Sequence, residues 1–162
     1  MKITVIGGGP AGMMAAAAAA GEGAIVTLLE HNSYLGKKLG ITGKGRCNIT
    51  NAADISEFIH NIPINGKFMH SAFFAFNNQD ILNLLARFGV ETKTERGGRV
   101  FPTTDKAKTV VDALKHYVRS MGVRVVFDGA ADLLKEDTGF CVRRKNGSAI
   151  PVSYTHLRAH ET

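Results

Sequence analysis

Apolar and polar residues at the start of the chain follow the pattern of a strand, a helix and a second strand. The β-branched run at 3–6 predicts the first strand, and the glycines at 7–9 break it. An apolar, alanine-rich run at 10–20 predicts a helix whose small side chains can pack closely on a sheet. Another apolar run at 24–29 predicts the second strand, which Glu30 ends. This order predicts a βαβ unit.

Periodic apolar positions predict further elements along the rest of the chain. Helical spacing predicts helices at 54–60, 68–76, 78–88 and 105–121. Strand-like runs lie at 90–95, 99–101, 123–127 and two short stretches around Leu133 and Phe140. The first two runs should form a hairpin, and the last two should meet in a turn at 137–139. We expect the phenylalanines of 68–88 to lie in a core. Because strands and helices alternate, we predict an α/β protein with a mainly parallel sheet.

The glycines between the first strand and the helix form a phosphate-binding pattern. Gly7, Gly9 and Gly12 give G-x-G-x-x-G, with Pro10 and Ala11 between the last two glycines. Gly7 permits the tight turn, Gly9 lets the backbone approach a pyrophosphate, and Gly12 lets the helix pack closely on the strand. The free amides and the positive dipole end of the helix would then face the anion.

Glu30 supplies the second part of a nucleotide site. It stands about 18 residues beyond Gly12, where an acid can accept hydrogen bonds from ribose hydroxyls and disfavours a 2′-phosphate. A plain glycine turn and a secretory signal are the alternatives. Three consecutive glycines and Pro10 interrupt the apolar run, however, and strand character resumes at Ile25. The same interruptions argue against a membrane helix. We therefore predict that this segment binds a dinucleotide.

Composition places the chain among globular proteins. Its 162 residues are enough for one domain, and 44% hydrophobic with 21% charged residues argue against disorder. A net charge of +6 is compatible with a nucleic-acid partner, but the basic residues are interleaved with acids. Cys47 and Cys141 form no disulfide or metal pattern. We therefore expect no metal site and a cytoplasmic location.

A long basic loop follows Glu30 and is a second candidate for ligand contact. Residues 31–52 hold four glycines and four basic residues, which are Lys37, Lys38, Lys44 and Arg46. Connections longer than about 12–15 residues without their own structure are usually functional. Glycines next to Lys44 and Arg46 can bring backbone amides and positive charge to a polar ligand. The alternative interpretation is a flexible, solvated loop.

The last stretch, VSYTHLRAHET from Val152 onward, has no periodic pattern. Its back-translation resembles a transposase adapter used in sequencing libraries. We therefore expect two regions. Residues 1–150 would be the N-terminal part of a nucleotide-binding domain, and residues 151–162 would be a non-native, adapter-derived tail.

Four motifs together resemble a known family. These are IGGGPAGMMAA, LLEHN, GKKLGITGKGRCNITN and GGRVFPTTDKAKTVVDAL. They are similar to the FAD-binding oxidoreductases that include bacterial aminoacetone-oxidase-like and bile-acid 3-dehydro reductase-like flavoproteins. The likeness runs from Lys2 to Ile150, and its loop motif is more specific than the glycine pattern. It implies a Rossmann-like FAD/NAD(P)-binding domain, truncated before the Ala-Thr-Gly-Gly type strand and the inserted domain of the longer family members.

The resemblance implies FAD as the cofactor and assigns residues to it. The glycine turn would hold the pyrophosphate, Glu30 the adenosine ribose, and the backbone of Ala130 the adenine. Loop residues would lie along the flavin and the pyrophosphate. The implied cofactor-binding residues are Gly7, Gly9, Pro10, Ala11, Gly12, Glu30, His31, Lys37, Lys38, Gly43, Arg46, Cys47, Asn48 and Ala130. Family positions to which we assign no role are Arg99, Phe101 and Pro102.

The activity implied by the resemblance is that of an oxidoreductase. NAD(P)H would deliver a hydride through FAD to an unsaturated or carbonyl substrate, or to oxygen. We expect Lys44 or Arg46 to stabilise negative charge on the reduced flavin. Cys47 should be a small packed residue rather than a redox-active thiol, since the chain has no suitably spaced second cysteine. The catalytic residues are expected beyond residue 150.

Two other functions stay open. An NAD-dependent dehydrogenase uses the same glycine pattern, although the basic glycine loop argues against it. The chain as written is also compatible with a catalytically inert nucleotide-binding fragment. We expect a small-molecule substrate, with no nucleic-acid partner and no membrane partner.

Overall fold

The computed structural model describes residues 1–136, 139–152 and 154–157. The chain forms two compact units, Met1–Leu39 with Leu114–Thr162, and Gly40–Ala113. Short 3-10 helices occur at Leu39–Gly45 and Gly66–Met69. The other elements in chain order are β1 (Lys2–Ile6), α1 (Pro10–Gly21), β2 (Ile25–Glu30), β3 (Thr50–Asn51), α2 (Ile55–His60), α3 (His70–Ala75), α4 (Asn78–Arg87), β4 (Thr92–Glu95), β5 (Arg99–Pro102), α5 (Ala107–Ser120), β6 (Arg124–Phe127), β7 (Ala130–Glu136), β8 (Gly139–Arg144), β9 (Ala149–Val152) and β10 (Tyr154–Leu157).

A four-stranded parallel sheet forms the centre of the first unit. Its strand order is β10, β1, β2, β6. Ile6 of β1 pairs with Leu29 of β2, and Glu30 at the end of β2 pairs with Phe127 at the end of β6. The carboxyl ends of these three strands therefore lie at one edge of the sheet.

Helix α1 connects β1 to β2 and packs on the sheet through Met13 and two alanines. Met13, Ala16 and Ala17 of this helix are fully buried. A Cβ atom added at Gly12 would lie 1.9 Å from the carbonyl oxygen of Gly7. The close approach of the first helical turn to the end of β1 therefore requires glycine at position 12.

An antiparallel sheet of β7, β8 and β9 covers part of the first unit's core. Val142 on β8 and Leu29 on β2 are both buried and form one apolar cluster. Partly buried side chains packed against this cluster are Ile6, Val126, Ala130, Leu133, Phe140 and Ile150. Three consecutive strands, with no helix between them, thus cover the apolar cluster around Leu29 and Val142.

The second unit contains a small antiparallel sheet and the capped helix α4. The sheet has the order β3, β5, β4. The side chain of Asn77 accepts hydrogen bonds from the amides of Gln79 and Asp80, and Asp80 accepts from the amide of Asn77. This reciprocal capping box fixes the start of α4. Leu84 and Leu85 lie on its buried face.

Most elements lie where the sequence pattern predicts them. The strands at 3–6 and 24–29 and the helices at 78–88 and 105–121 are confirmed as β1, β2, α4 and α5. The α/β class with a parallel sheet is also confirmed, and two antiparallel sheets accompany the parallel one. Residues 137 and 138 of the predicted turn lie outside the described ranges. Within those ranges, no helix combines the length and apolar composition that a membrane span requires.

The predicted helix at 68–76 is instead a 3-10 turn followed by α3, and its phenylalanines are not in a core. Large exposed fractions, 85%, 69% and 43%, are found for Phe68, Phe74 and Phe76. The ring of Phe73 packs against Phe58, with 5.7 Å between centroids. Successive side chains of a helix point about 100° apart, so Phe74 must face elsewhere. The prediction of a buried phenylalanine cluster is therefore wrong for these residues.

The strand β10 occurs where the sequence pattern predicts no element. It pairs in parallel with β1, from Ile3 opposite Tyr154 to Ile6 opposite Leu157. Backbone pairing with an existing strand edge, rather than side-chain periodicity, gives these four residues their strand conformation. The adapter origin of residues 151–162 stays a prediction.

Gly12→Ala should destabilise the chain by about 3 kcal/mol, because the added Cβ would overlap the carbonyl group of Gly7 and the helix would have to shift. Gly9→Ala is the matched control. A Cβ at Gly9 has no described heavy atom within 4 Å, so its cost should stay below about 1 kcal/mol. Urea unfolding followed by circular dichroism measures both changes. Equal stability of the two variants would contradict the packing described for α1.

Candidate functional site

The edge of the parallel sheet at which β1, β2 and β6 end is the first candidate site. Gly7 follows β1 with a φ of 105°, which favours glycine. Its amide donates to the carbonyl oxygen of Leu29 at 2.8 Å. The chain then enters α1 directly above the edge. In open α/β sheets, ligands bind in this position.

The first turn of α1 presents backbone amides and no acid at this edge. Gly9 is the N-cap residue, Pro10 starts the helix, and no described side chain caps the turn. The space beside Gly9 is open, as the Cβ position shows. The amides of Ala11 and Gly12 and the helix dipole therefore stabilise an anion placed there.

The carboxylate of Glu30 lies behind the glycine turn and joins it to β2. Glu30 is only 4% exposed, and its Oε2 accepts from the amide of Gly8 at 2.7 Å. Its Oε1 accepts from the amide and the side-chain nitrogen of Asn32, at 2.8 and 2.6 Å. The Nδ1 atom of His31 lies 3.1 Å from the same oxygen. The described donors to Oε2 number only one, so the second lone pair of this oxygen stays available to a ribose hydroxyl.

These contacts keep Glu30 ionised. Burial raises the pKa of Glu30, but the hydrogen bonds from Asn32 and Gly8, together with the His31 ring, lower it by more. The pKa of Glu30 therefore lies below the ordinary value of a glutamate. At neutral pH the side chain is an acceptor only, which is the form that binds sugar hydroxyls.

Sequence reasoning missed two members of this site, Gly8 and Asn32. A Cβ at Gly8 would lie 2.3 Å from Leu35 Cδ2 and 3.0 Å from Glu30 Oε2, so a side chain there would displace Leu35 and crowd the carboxylate. Asn32 bridges Glu30 to Lys37, whose Nζ donates to Asn32 Oδ1 at 3.0 Å. The signal for Asn32 was its place two residues after the acid, a spacing at which polar side chains and backbone amides often bond.

The start of the basic loop folds back on the glycine turn. The amide of Gly36 donates to the carbonyl oxygen of Gly8 at 2.8 Å. Lys37 and Lys38 follow with exposed side chains. Ala130 begins β7 after the end of β6 and packs against the Leu29–Val142 cluster. This part of the loop and Ala130 thus belong to the same unit as Glu30.

Arg46, in the second unit, is held by two carboxylates and a ring. Its Nε and Nη2 donate to Asp105 Oδ1 at 2.9 and 2.7 Å, and both Nη groups donate to Glu95. Lys93 Nζ donates to Asp105 Oδ2 at 2.5 Å. The guanidinium carbon lies 4.3 Å from the Phe101 ring centroid. We call Arg46, Lys93, Glu95, Phe101 and Asp105 the Arg46 cluster.

The charges of the Arg46 cluster compensate one another. The hydrogen bond from Arg46 lowers the pKa of Glu95, and those from Lys93 and then Arg46 lower the pKa of Asp105. The same bonds raise the pKa of Arg46 above its ordinary value. Two cations therefore face two ionised carboxylates at neutral pH.

Cys47 and Asn48 pack beside this cluster. Cys47 is fully buried, and burial raises the pKa of its thiol more than a hydrogen bond with Thr42 lowers it. A protonated, buried thiol is a poor nucleophile, so the expectation of a packed residue is confirmed. With its amide oriented to satisfy both neighbours, Asn48 donates to the carbonyl oxygens of Val100 at 3.2 Å and Thr50 at 3.0 Å.

The predicted cofactor-binding residues thus form two groups. The first unit contains Gly7, Gly9, Pro10, Ala11, Gly12, Glu30, His31, Lys37, Lys38 and Ala130. The second unit brings together Gly43, Arg46, Cys47 and Asn48. A cavity of about 250 Å³ lies elsewhere in the first unit and is lined by Thr27, Arg124, Val126, Arg144, Ala149 and Ile150.

The Arg46 cluster predicts a dependence of stability on pH. The folded pKa values of Glu95 and Asp105 lie below the ordinary 4.5 and 3.8. The contribution of the two carboxylates to the free energy of unfolding is therefore present at pH values above their ordinary pKa values. It is lost as the pH falls through their lowered pKa values. We expect the urea midpoint of the wild-type chain to fall more steeply between pH values of about 5 and 2 than that of Arg46→Ala. Parallel curves for the two proteins would contradict the ionic nature of the cluster.

Comparison with known proteins supports a dinucleotide-binding fold. The sequence profile of the HI0933-like protein Rossmann domain matches residues 1–156. A 3-dehydro-bile acid delta(4,6)-reductase from Clostridium scindens is 35% identical over 153 residues, which are 93% of this chain and 36% of that protein. A ribosomal RNA dihydrouridine synthase from Haemophilus influenzae is 30% identical over 122 residues, 75% of this chain and 30% of that protein.

Among solved structures, the open conformation of a flavocytochrome c3 fumarate reductase superposes with a TM-score of 0.71 at 21% identity. The superposition covers 96% of this chain and 33% of that one, and it concerns the fold alone. This chain spans about a third of the length of the curated relatives that it matches. The profile match over nearly the whole chain shows that the chain belongs to the HI0933-like protein Rossmann domain family.

Proposed function

We propose that this chain is the FAD-binding part of a flavin-dependent oxidoreductase. The observation that carries the proposal is the hydrogen bond between the Gly8 amide and the Glu30 carboxylate, beside the uncapped first turn of α1. An ionised acid next to a phosphate-binding turn suits a ribose joined to a pyrophosphate, which is the common part of the dinucleotide cofactors.

The choice of FAD rests on the loop and on the relatives. The segment GKKLGITGKGRCNITN resembles the corresponding loop of FAD-binding oxidoreductases. The relative of 35% identity is named a reductase, and dihydrouridine, named in the other relative, holds two more hydrogens than uridine. Both names are compatible with the reduction of an unsaturated substrate.

Each residue of the sheet edge has a separate task in this proposal. The amides of Ala11 and Gly12 donate to the pyrophosphate, and Glu30 accepts from the adenosine ribose. Asn32 keeps the Glu30 carboxylate oriented and ionised, and Lys37 adds positive charge close by. When bound, FAD supplies hydride transfer from NAD(P)H to an unsaturated or carbonyl substrate, or to oxygen.

In the second unit, Lys44 is the better candidate for stabilising negative charge on a reduced flavin. The charge of Arg46 is compensated by Glu95 and Asp105, whereas the side chain of Lys44 is exposed. A cation that is already neutralised by two carboxylates contributes little field at a distance. The proposal therefore gives the electrostatic task to Lys44 and a different one to Arg46.

We propose a small-molecule substrate, a cytoplasmic location, and neither a nucleic-acid nor a membrane partner. The bile-acid reductase favours a small-molecule substrate. Of the two relatives, it has the higher sequence identity to this chain and covers more of it. A nucleic acid is the second candidate substrate. It is favoured by the name of the ribosomal RNA relative and by the net charge of +6.

Titration of the chain with FAD, followed by flavin fluorescence, tests the proposal. We expect Glu30→Gln to raise the Kd for FAD on the order of tenfold, because an ionic acceptor for the ribose is lost. Gly9→Ala should raise it by a similar factor at a stability cost below about 1 kcal/mol, since its Cβ enters the space proposed for the pyrophosphate. Glu22→Gln, on the exposed opposite end of α1, carries the same charge change as Glu30→Gln and should leave the Kd unchanged.

Other outcomes of the titration separate the competing functions. Tight binding of NAD⁺ with no uptake of FAD would favour an NAD-dependent dehydrogenase. An equal Kd for FAD in the Glu30→Gln variant and the wild-type chain would contradict the role of Glu30. If the loaded chain reduces flavin in steady turnover with NADH or NADPH, the inert-fragment interpretation fails.

A further inference from the structure

The Arg46 cluster gives a structural role to the segment around β5, whose motif residue Phe101 has no role assigned from the sequence. Phe101 lies on β5, Glu95 lies at the end of the neighbouring β4, and Asp105 follows β5 closely. All three contact the side chain of Arg46, which belongs to the segment 42–48, here called the Arg46 loop. The β4–β5 hairpin and the turn that follows it thus bind the side chain of Arg46.

The backbone of the Arg46 loop requires support of this kind. Left-handed φ values between 56° and 83° occur at Gly43, Lys44, Gly45 and Cys47. Glycine adopts this conformation readily, but Lys44 and Cys47 do not, because their Cβ atoms crowd the following carbonyl group. Such residues persist where surrounding contacts impose the conformation. The amide of Cys47 donates to the carbonyl oxygen of Thr42 at 3.0 Å, which closes the loop on itself.

We infer that Glu95 and Asp105 are positioning residues that fix the Arg46 loop by holding the Arg46 guanidinium on the Phe101 ring. The two carboxylates bind the edge of the planar group, and the ring covers one of its faces. A guanidinium bound along its edge and on one face has little freedom to rotate. The backbone on either side of Arg46 is restrained in turn.

Arg46 acts in this way through its shape rather than through its charge. The two cations and two ionised carboxylates of the Arg46 cluster sum to zero net charge, so Arg46 contributes the planar shape of its guanidinium rather than an uncompensated positive charge. A lysine keeps the charge but lacks the planar fork that reaches two carboxylates and stacks on a ring. Arg46→Lys therefore distinguishes a positioning role from an electrostatic one.

The connection of this loop to a flavin rests on the proposed function, but its conformation can be measured without FAD. Cys47 lies in the loop and is fully buried, while Cys141 is buried on β8 of the other unit. Alkylation of a buried thiol requires local opening of the chain around it. The rate for Cys47 thus reports on the Arg46 loop, and the rate for Cys141 reports on opening of the rest of the fold.

The test is the rate of iodoacetamide modification at each cysteine, measured by peptide mass spectrometry on the chain without FAD. We expect Arg46→Ala, Arg46→Lys and the double variant Glu95→Gln/Asp105→Asn each to raise the Cys47 rate about tenfold, with the Cys141 rate unchanged. The single variants Glu95→Gln and Asp105→Asn should give smaller increases. Asp112→Asn removes an acid that pairs with Lys108 on α5 and is the matched control, with no expected change.

Three results would overturn the inference. The first is a Cys47 rate that stays at the wild-type value in both Arg46→Ala and the double variant. The second is an equal rise at Cys47 and Cys141 in every variant, which would mean that the cluster supports the whole fold. The third is a wild-type rate in Arg46→Lys. A wild-type chain that takes up no FAD refutes the proposed function instead, and the alkylation rates still decide this inference.

Discussion

The hydrogen bond from the Gly8 amide to the Glu30 carboxylate is the contact on which the candidate site depends. It ties the turn after β1 to the end of β2, at the edge where the parallel strands finish. Because the carboxylate is buried, loss of either partner leaves a polar group unsatisfied, at a cost of about 1–3 kcal/mol. Asn32 then holds the other oxygen, and Lys37 holds Asn32. The geometry of the edge follows from this chain of contacts.

The two units use charge in different ways. At the sheet edge, an acid accepts hydrogen bonds from the amides of Gly8 and Asn32 and keeps its negative charge for a ligand. In the Arg46 cluster, two cations and two carboxylates satisfy one another. The first arrangement suits binding of an outside group, and the second suits fixing a loop. Lys37 and Arg46, which both belong to the basic loop at residues 31–52, therefore have different roles.

Local patterns in the sequence were sufficient to predict the elements around the sheet edge. Strand periodicity and the glycine spacing depend on neighbouring residues, and they indicated the turn, α1 and Glu30 in their correct order. Contacts between distant residues were not predictable in this way. Arg46 and Asp105 are 59 positions apart, and nothing in their neighbourhoods indicates that they pair. The prediction that Phe74 lies in a core was wrong, because helical spacing does not show whether another part of the chain packs against that face of the helix.

In the proposed function, the glycine turn and Glu30 together form the nucleotide-binding edge. Amide chemical shifts of the ¹⁵N-labelled chain, followed by NMR during addition of FAD, test it most directly. We expect the largest shifts at Gly8, Gly9, Ala11, Gly12 and Asn32. Saturable shifts confined to the cavity around Arg124 and Arg144, with the glycine turn unmoved, would contradict it.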